Sequence, residues 1–115
     1  VTTMLIAGND YTFEVQIKSP MGWVKVNASF HILSETAFTG QAKLLGFTVE
    51  LADCVLNGAH VRFAASPKLP FGVLRVEIEA DIHEDGSVSG IANAPRHKPM
   101  EIKGQLVSNS TALTF

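Results

Sequence analysis

The chain has 115 residues, nine Lys and Arg against eleven Asp and Glu, a net charge of −2 and 46% hydrophobic residues. That is one domain, residues 1–115, of a size that buries roughly 65% of what its unfolded form exposes. The basic residues are scattered along the sequence, which excludes the electrostatic footprint of a nucleic-acid partner. The lone Cys54 excludes an internal disulfide and a cysteine-rich metal site, so a cytoplasmic location is the default.

Val1–Ala7 is apolar but far short of the ~20 residues of a membrane span and lacks the charged flank of a signal peptide. It reads as an early strand, and no membrane partner is expected. Tyr11, Phe13, Val15 and Ile17 then alternate with Thr12, Glu14, Gln16 and Lys18, one row apolar and the other wet. Val24, Val26, Ala28, Phe30 and Ile32 continue the pattern. So do Leu74, Val76, Ile78, Ala80 and Ile82, set against Arg75, Glu77, Glu79, Asp81 and His83. These are half-buried antiparallel strands, and no apolar stripe at helical spacing competes with them.

Turn residues divide the runs. Pro20-Met21-Gly22 and Pro70-Phe71-Gly72 have tight-turn chemistry, and Asn57-Gly58 and Asp85-Gly86 are hairpin signals. The predicted strands are 11–18, 23–33, 36–44, 47–56, 60–66, 73–83, 87–93 and 98–107. A shift of fifty residues superposes Gly8 on Gly58, Phe13 on Phe63, Pro20 on Pro70, Gly22 on Gly72, Ile32 on Ile82, Gly40 on Gly90 and Ala42 on Ala92. One inserted residue later, Val49-Glu50-Leu51 falls on Met100-Glu101-Ile102. This predicts a duplicated unit, with repeats at about 8–57 and 58–107. Two four-strand meanders let first and last strands meet, so the predicted fold is an all-β, eight-stranded antiparallel up-and-down barrel. A β-sandwich is the alternative, though it needs longer crossovers than the turns provide.

In strand count, meander order and length the chain resembles the small calycin-type barrels, the architecture of lipocalins and avidins. It resembles more closely the short two-repeat bacterial barrels of unknown function, with their proline-hydrophobic-glycine turns. A lipocalin's glycine-x-tryptophan motif opens its barrel, whereas Gly22-Trp23 lies after the first hairpin, and no biotin-site pattern is present. The resemblance therefore carries over no functional residue.

A lumen of eight strands is just wide enough to be filled by side chains or to hold one small ligand. Inward rows supply Phe13, Phe30, Phe38, Phe63, Val76, Ile78, Ala80 and Met100 as candidate ligand contacts. Small residues there, Ala28, Gly40, Ala42, Ala65, Gly90 and Gly104 among them, mean either a pocket or bends of the barrel wall. Asp53, continuing the row Phe47, Val49, Leu51, is expected to be desolvated near Tyr11, making the two a candidate acid/base pair. Two other placements of Asp53 stay open: solvated at a strand end, or turned outward by a bulge that brings Cys54 in. His31, His60, His83 and His97 lack metal-ligand spacing, so neither metal nor cofactor is expected. Turn tips are apolar at one end (Met21, Trp23, Leu45, Leu69, Phe71) and polar at the other, which suggests a mouth, a plug or a subunit contact at the apolar end.

Three function classes follow: a binding module for a small apolar molecule, a cofactor-free isomerase, cyclase or lyase acting in the barrel, or a structural or accessory subunit. The surplus strand Val1–Ile6, with Trp23 as an anchor, predicts a homodimer.

Overall fold

A computed structural model of the chain describes residues 5–19, 22–44, 46–66, 68–69, 72–73 and 75–111; for 68–69, 72–73 and 108–111 it describes the backbone alone. The strands are β1 (Asn9–Ser19), β2 (Gly22–Ile32), β3 (Phe38–Leu44), β4 (Phe47–Asn57), β5 (His60–Ala65), β6 (Lys68–Leu69), β7 (Gly72–Val73), β8 (Val76–Ile82), β9 (Ser87–Asn93) and β10 (Met100–Thr111). Eight of them close in the order β1-β10-β9-β8-β5-β4-β3-β2, every neighbour antiparallel. The barrel is thus up-and-down, and the sandwich alternative falls because β1 pairs with both β2 and β10 and leaves no edge. No helix occurs among the described residues.

The predicted strand 73–83 is corrected. Lys68 pairs with Val73 and Leu69 with Gly72 in a separate two-stranded ribbon, so β8 starts at Val76. The first strand begins earlier than predicted and the last runs to Thr111, because the two zip together from Asn9↔Thr111 to Ile17↔Ile102.

Two bulges set which way side chains face. In β10, Thr12 lies opposite Ser108 and Phe13 opposite Leu106, which leaves Val107 as the extra residue, half exposed on the outer wall. In β4, Ala52 lies opposite Ala64 and Val55 opposite Arg62, so Asp53 and Cys54 together face the single residue Phe63. Asp53 takes φ 54°, the left-handed conformation that aspartate tolerates better than most side chains. Leu51 faces in, Ala52 and Asp53 both face out, and Cys54 and Leu56 resume the inward side.

The inward glycines belong to the wall. Gly40 faces Phe30, Gly90 faces Ala80 and Gly104 faces Val15 across adjacent strands. A Cβ on Gly90 would meet the Glu79 carbonyl oxygen and come within 2.7 Å of the Ala80 Cβ. At such points neighbouring backbones approach too closely for a side chain, which is how a small barrel curves.

Candidate functional site: the barrel interior

The interior is a cup. Its floor lies at the end carrying residues 5–8, 33–37, 58–59 and 83–86, where Tyr11, Phe13, Ile32, Phe38, Leu56, Val61 and Ile82 are all at most 4% exposed. Leu5 is buried against this cluster. The Ile6 N–H donates to the Tyr11 Oη at 2.9 Å, Asn9 Nδ2 donates to the same oxygen at 3.4 Å, and the Gly8 N–H donates to the Ile32 carbonyl at 2.8 Å. Residues 5–8 therefore bend over the floor of their own barrel, and Leu5 and Ile6 do not form the free strand expected of Val1–Ile6. Val1–Met4 lie outside the described residues.

Above the floor an aromatic cluster crosses the lumen. Phe30 packs against Phe13 (centroids 5.3 Å apart), Phe38 (4.8 Å) and, edge-on, Phe63 (5.7 Å). Toward the other end, inward residues of six of the eight strands, Val15, Ile17, Val24, Leu44, Val49, Leu51, Val76, Ile78 and Met100, are only half-buried, while the small Ala65 and Ala92 of β5 and β9 stay buried. This end is the mouth. The apolar turn tips expected there are only partly visible: Trp23 is 43% exposed on the outer row, Leu69 contributes backbone alone, and Met21, Leu45 and Phe71 lie outside the described residues.

Between mouth and aromatic cluster lies a cavity of about 60 Å³. Of the residues expected to contact a ligand, Phe13, Phe30, Phe63, Ile78 and Ala80 line it. Phe38 instead backs the cluster, and Val76 and Met100 sit half-buried nearer the rim. The alternation also holds the signal for Val15, Ile17, Val26, Leu51 and Ile102, which line the cavity beyond the expected contacts, and the small inward Ala28, Ala42 and Ala65 line it too. No lining side chain carries a polar atom, so a guest finds no hydrogen-bond partner there. A space of 60 Å³ is smaller than the ~150 Å³ in which an engineered apolar cavity holds benzene, so only a slender group enters without displacing side chains.

The expectation of a buried Asp53 beside Tyr11 is corrected. The β4 bulge turns Asp53 to the outer wall, where its side chain is 74% exposed and accepts a 2.8 Å bond from Arg75 Nη2. That bond and the adjacent charge raise the Arg75 pKa further. Tyr11 is buried in the floor with its hydroxyl engaged by Ile6 and Asn9, so the structure does not bring the two together. Cys54 takes the inward place instead, and burial, reinforced by the Asp53 carboxylate, pushes its thiol up to about 11.

The histidines sit on the outer surface. His31 bonds Asp10 and His60 bonds Asp81 at 2.8 Å, each across adjacent strands, while His83 Nε2 lies 2.8 Å from Ser89 Oγ. Among the described residues no three His, Cys, Asp or Glu side chains converge on a point that could hold a metal. The fold and interior define a closed eight-stranded barrel with an apolar cup. Compared with known proteins, the chain matches no family model, no curated protein and no solved structure.

Proposed function

We propose that this barrel binds a small, slender apolar molecule, or the unbranched hydrocarbon tail of a larger one, inserted through the mouth. The observation that carries the reading is the cup's asymmetry: a sealed floor under Leu5 and Tyr11, and above it a wholly apolar lining that becomes half-exposed toward the rim. Ala28, Ala42, Ala65 and Ala80 leave room along that lining, and a space of about 60 Å³ takes a chain of methylenes where it does not take a ring. The reading includes a calycin-like kinship of architecture. It also includes a duplicated origin, supported by matching registers fifty residues apart: Phe13↔Ala28 with Phe63↔Ile78, and Phe30↔Gly40 with Ala80↔Gly90. The enzyme reading loses its acid/base pair, since Asp53 and Tyr11 stand on opposite sides of the wall.

A series of straight-chain alcohols titrated calorimetrically tests this. Affinity should rise about fourfold per added methylene, the ratio equivalent to ~0.8 kcal/mol, and level off once the tail meets the Phe13–Phe30–Phe63 cluster. Ala80→Leu should weaken binding throughout. Affinity without chain-length dependence, or undisturbed by Ala80→Leu, would overturn the proposal.

A further inference from the structure

The overall charge of −2 conceals a segregation that the meander creates. Divided at the strand midpoints, the mouth half holds eight of the nine basic residues: Lys18, Lys25, Lys43 and Lys103 on the strands, and Lys68, Arg75, Arg96 and Lys98 in or beside the connections. Only three of the eleven acidic residues, Glu50, Glu77 and Glu101, share that half, a formal net charge of +5, although two of its cations, Lys25 and Arg75, pair with Glu14 and Asp53 at the midline. Arg62 and the other eight acidic residues leave the floor half and midline at −7. Residues scattered in sequence are thus gathered at one end. Lys18, Lys43, Arg96 and Lys98 are exposed and form no ion pair among the described residues.

Apolar side chains are exposed at the same end. Phe47, on the inward row beside Leu44, is 59% exposed at the rim, and Trp23 is 43% exposed with Lys103 Nζ 4.5 Å from its ring centroid. The floor end also shows apolar groups, Ile6 and Leu33, so hydrophobic exposure alone does not choose between the ends. Charge does: the acidic floor repels an anionic surface that the basic mouth attracts. The outer wall carries Thr12, Glu14, Gln16, Ser29 and Gln41 with single apolar residues, Val55, Ile91 and Val107, among them, and not the continuous apolar band of a spanning barrel, so the molecule would lie on a bilayer and not cross it.

We propose that the mouth end docks on an anionic lipid bilayer, with the lysines at the headgroups and Phe47 and Trp23 at the interface. This revises the expectation of no membrane partner. It stands independently of ligand uptake, although such a docked barrel would open its cup toward the hydrocarbon.

Trp23 is the single tryptophan and reports the contact directly. The full chain is titrated with neutral phosphatidylcholine vesicles and with vesicles containing phosphatidylglycerol, following Trp23 emission and co-sedimentation. Binding and a blue shift are expected only with the anionic vesicles, and both should vanish in 1 M salt, where the Debye length falls to about 3 Å. Lys43→Gln and Lys98→Gln should each weaken partitioning about fivefold, and Phe47→Ser about tenfold, while Leu33→Ser at the floor leaves it unchanged. Ala80→Leu should also leave it unchanged, which separates failure of this proposal from failure of the lumen reading. The proposal is overturned by no binding to anionic vesicles at low salt, by binding that Leu33→Ser removes and the mouth variants do not, or by duplex DNA competing fully while Phe47→Ser has no effect.

Discussion

Phe63→Ala probes whether the aromatic cluster sets the depth of the cup. Phe63 reaches from β5 to Phe30 and Phe38, with centroids 5.7 and 6.2 Å away, and borders the 60 Å³ cavity. Burying a phenylalanine fully is worth about 3–5 kcal/mol against alanine; Phe63 is half-buried, so about 3 kcal/mol is expected. A domain of this size has about 5–15 kcal/mol to lose, so the variant stays folded with its melting temperature lowered by about 12–18 °C. The deleted ring is itself the size of benzene, and the void it leaves adjoins the existing cavity. The enlarged space is of the order of the ~150 Å³ that admits benzene. Saturating benzene at a hundred times its dissociation constant should then restore about 2.7 kcal/mol to the variant and nothing comparable to the parent. Differential scanning calorimetry with and without benzene measures both. A loss below about 4 °C, or the same benzene shift in both proteins, would show that the ring does not partition the lumen.

Leu5→Ala should cost about 2–5 kcal/mol in urea unfolding because it empties the floor. Removing residues 1–6 should destabilise similarly without changing the sedimentation coefficient expected of the parent's oligomer, whereas conversion of a dimer to a monomer would restore the strand-exchange role for this segment. The Cys54 thiol, near 11, is about one part in a thousand thiolate at pH 8, so iodoacetamide should modify it far more slowly than in urea. Asp53→Asn should quicken the reaction only modestly, since burial is the larger cause, and alkylation at the rate of an exposed cysteine would contradict the inward placement. At the β8–β9 turn, Asp85 accepts bonds from the Ser87 N–H and hydroxyl at 2.9 and 2.6 Å, which hold its carboxyl below the usual aspartate value. Its contribution is present above the unfolded-chain value and lost as pH falls through the lower folded one. Asp85→Ala should therefore differ from the parent in urea midpoint at pH 7 and converge with it in strong acid; an equal difference at both would refute the electrostatic account.

Much of the barrel was legible in the sequence because alternation and turn chemistry act over a few residues. The rows Tyr11–Ile17 and Val24–Ile32 face as their pattern requires. Asn57-Gly58 marks a true reversal, though its two loop residues are Gly58 and Ala59, since Asn57 pairs with His60. Of the placements open for Asp53 the structure takes the outward turn at a bulge, with Cys54 inward; the sequence could not choose it, because a bulge inverts every side chain beyond it and nothing in the run Val49–Leu56 distinguishes a continuous row from an interrupted one until Phe63 is seen facing two residues. The 68–73 ribbon was likewise hidden, because Pro70-Phe71-Gly72 reads the same whether it joins long strands or two-residue ones.

Strands, reversals and an apolar inner row are readable from the chain alone, since alternation follows from the period of two along the backbone and reversals from the turn residues between the runs. That Leu5 closes one end, that four phenylalanines fill the middle to leave about 60 Å³, and that dispersed lysines and arginines meet at the other end emerge only on folding. These depend on which residues from distant strands share a height in the barrel, a relation set by closure and bulges and carried by no local stretch of chain.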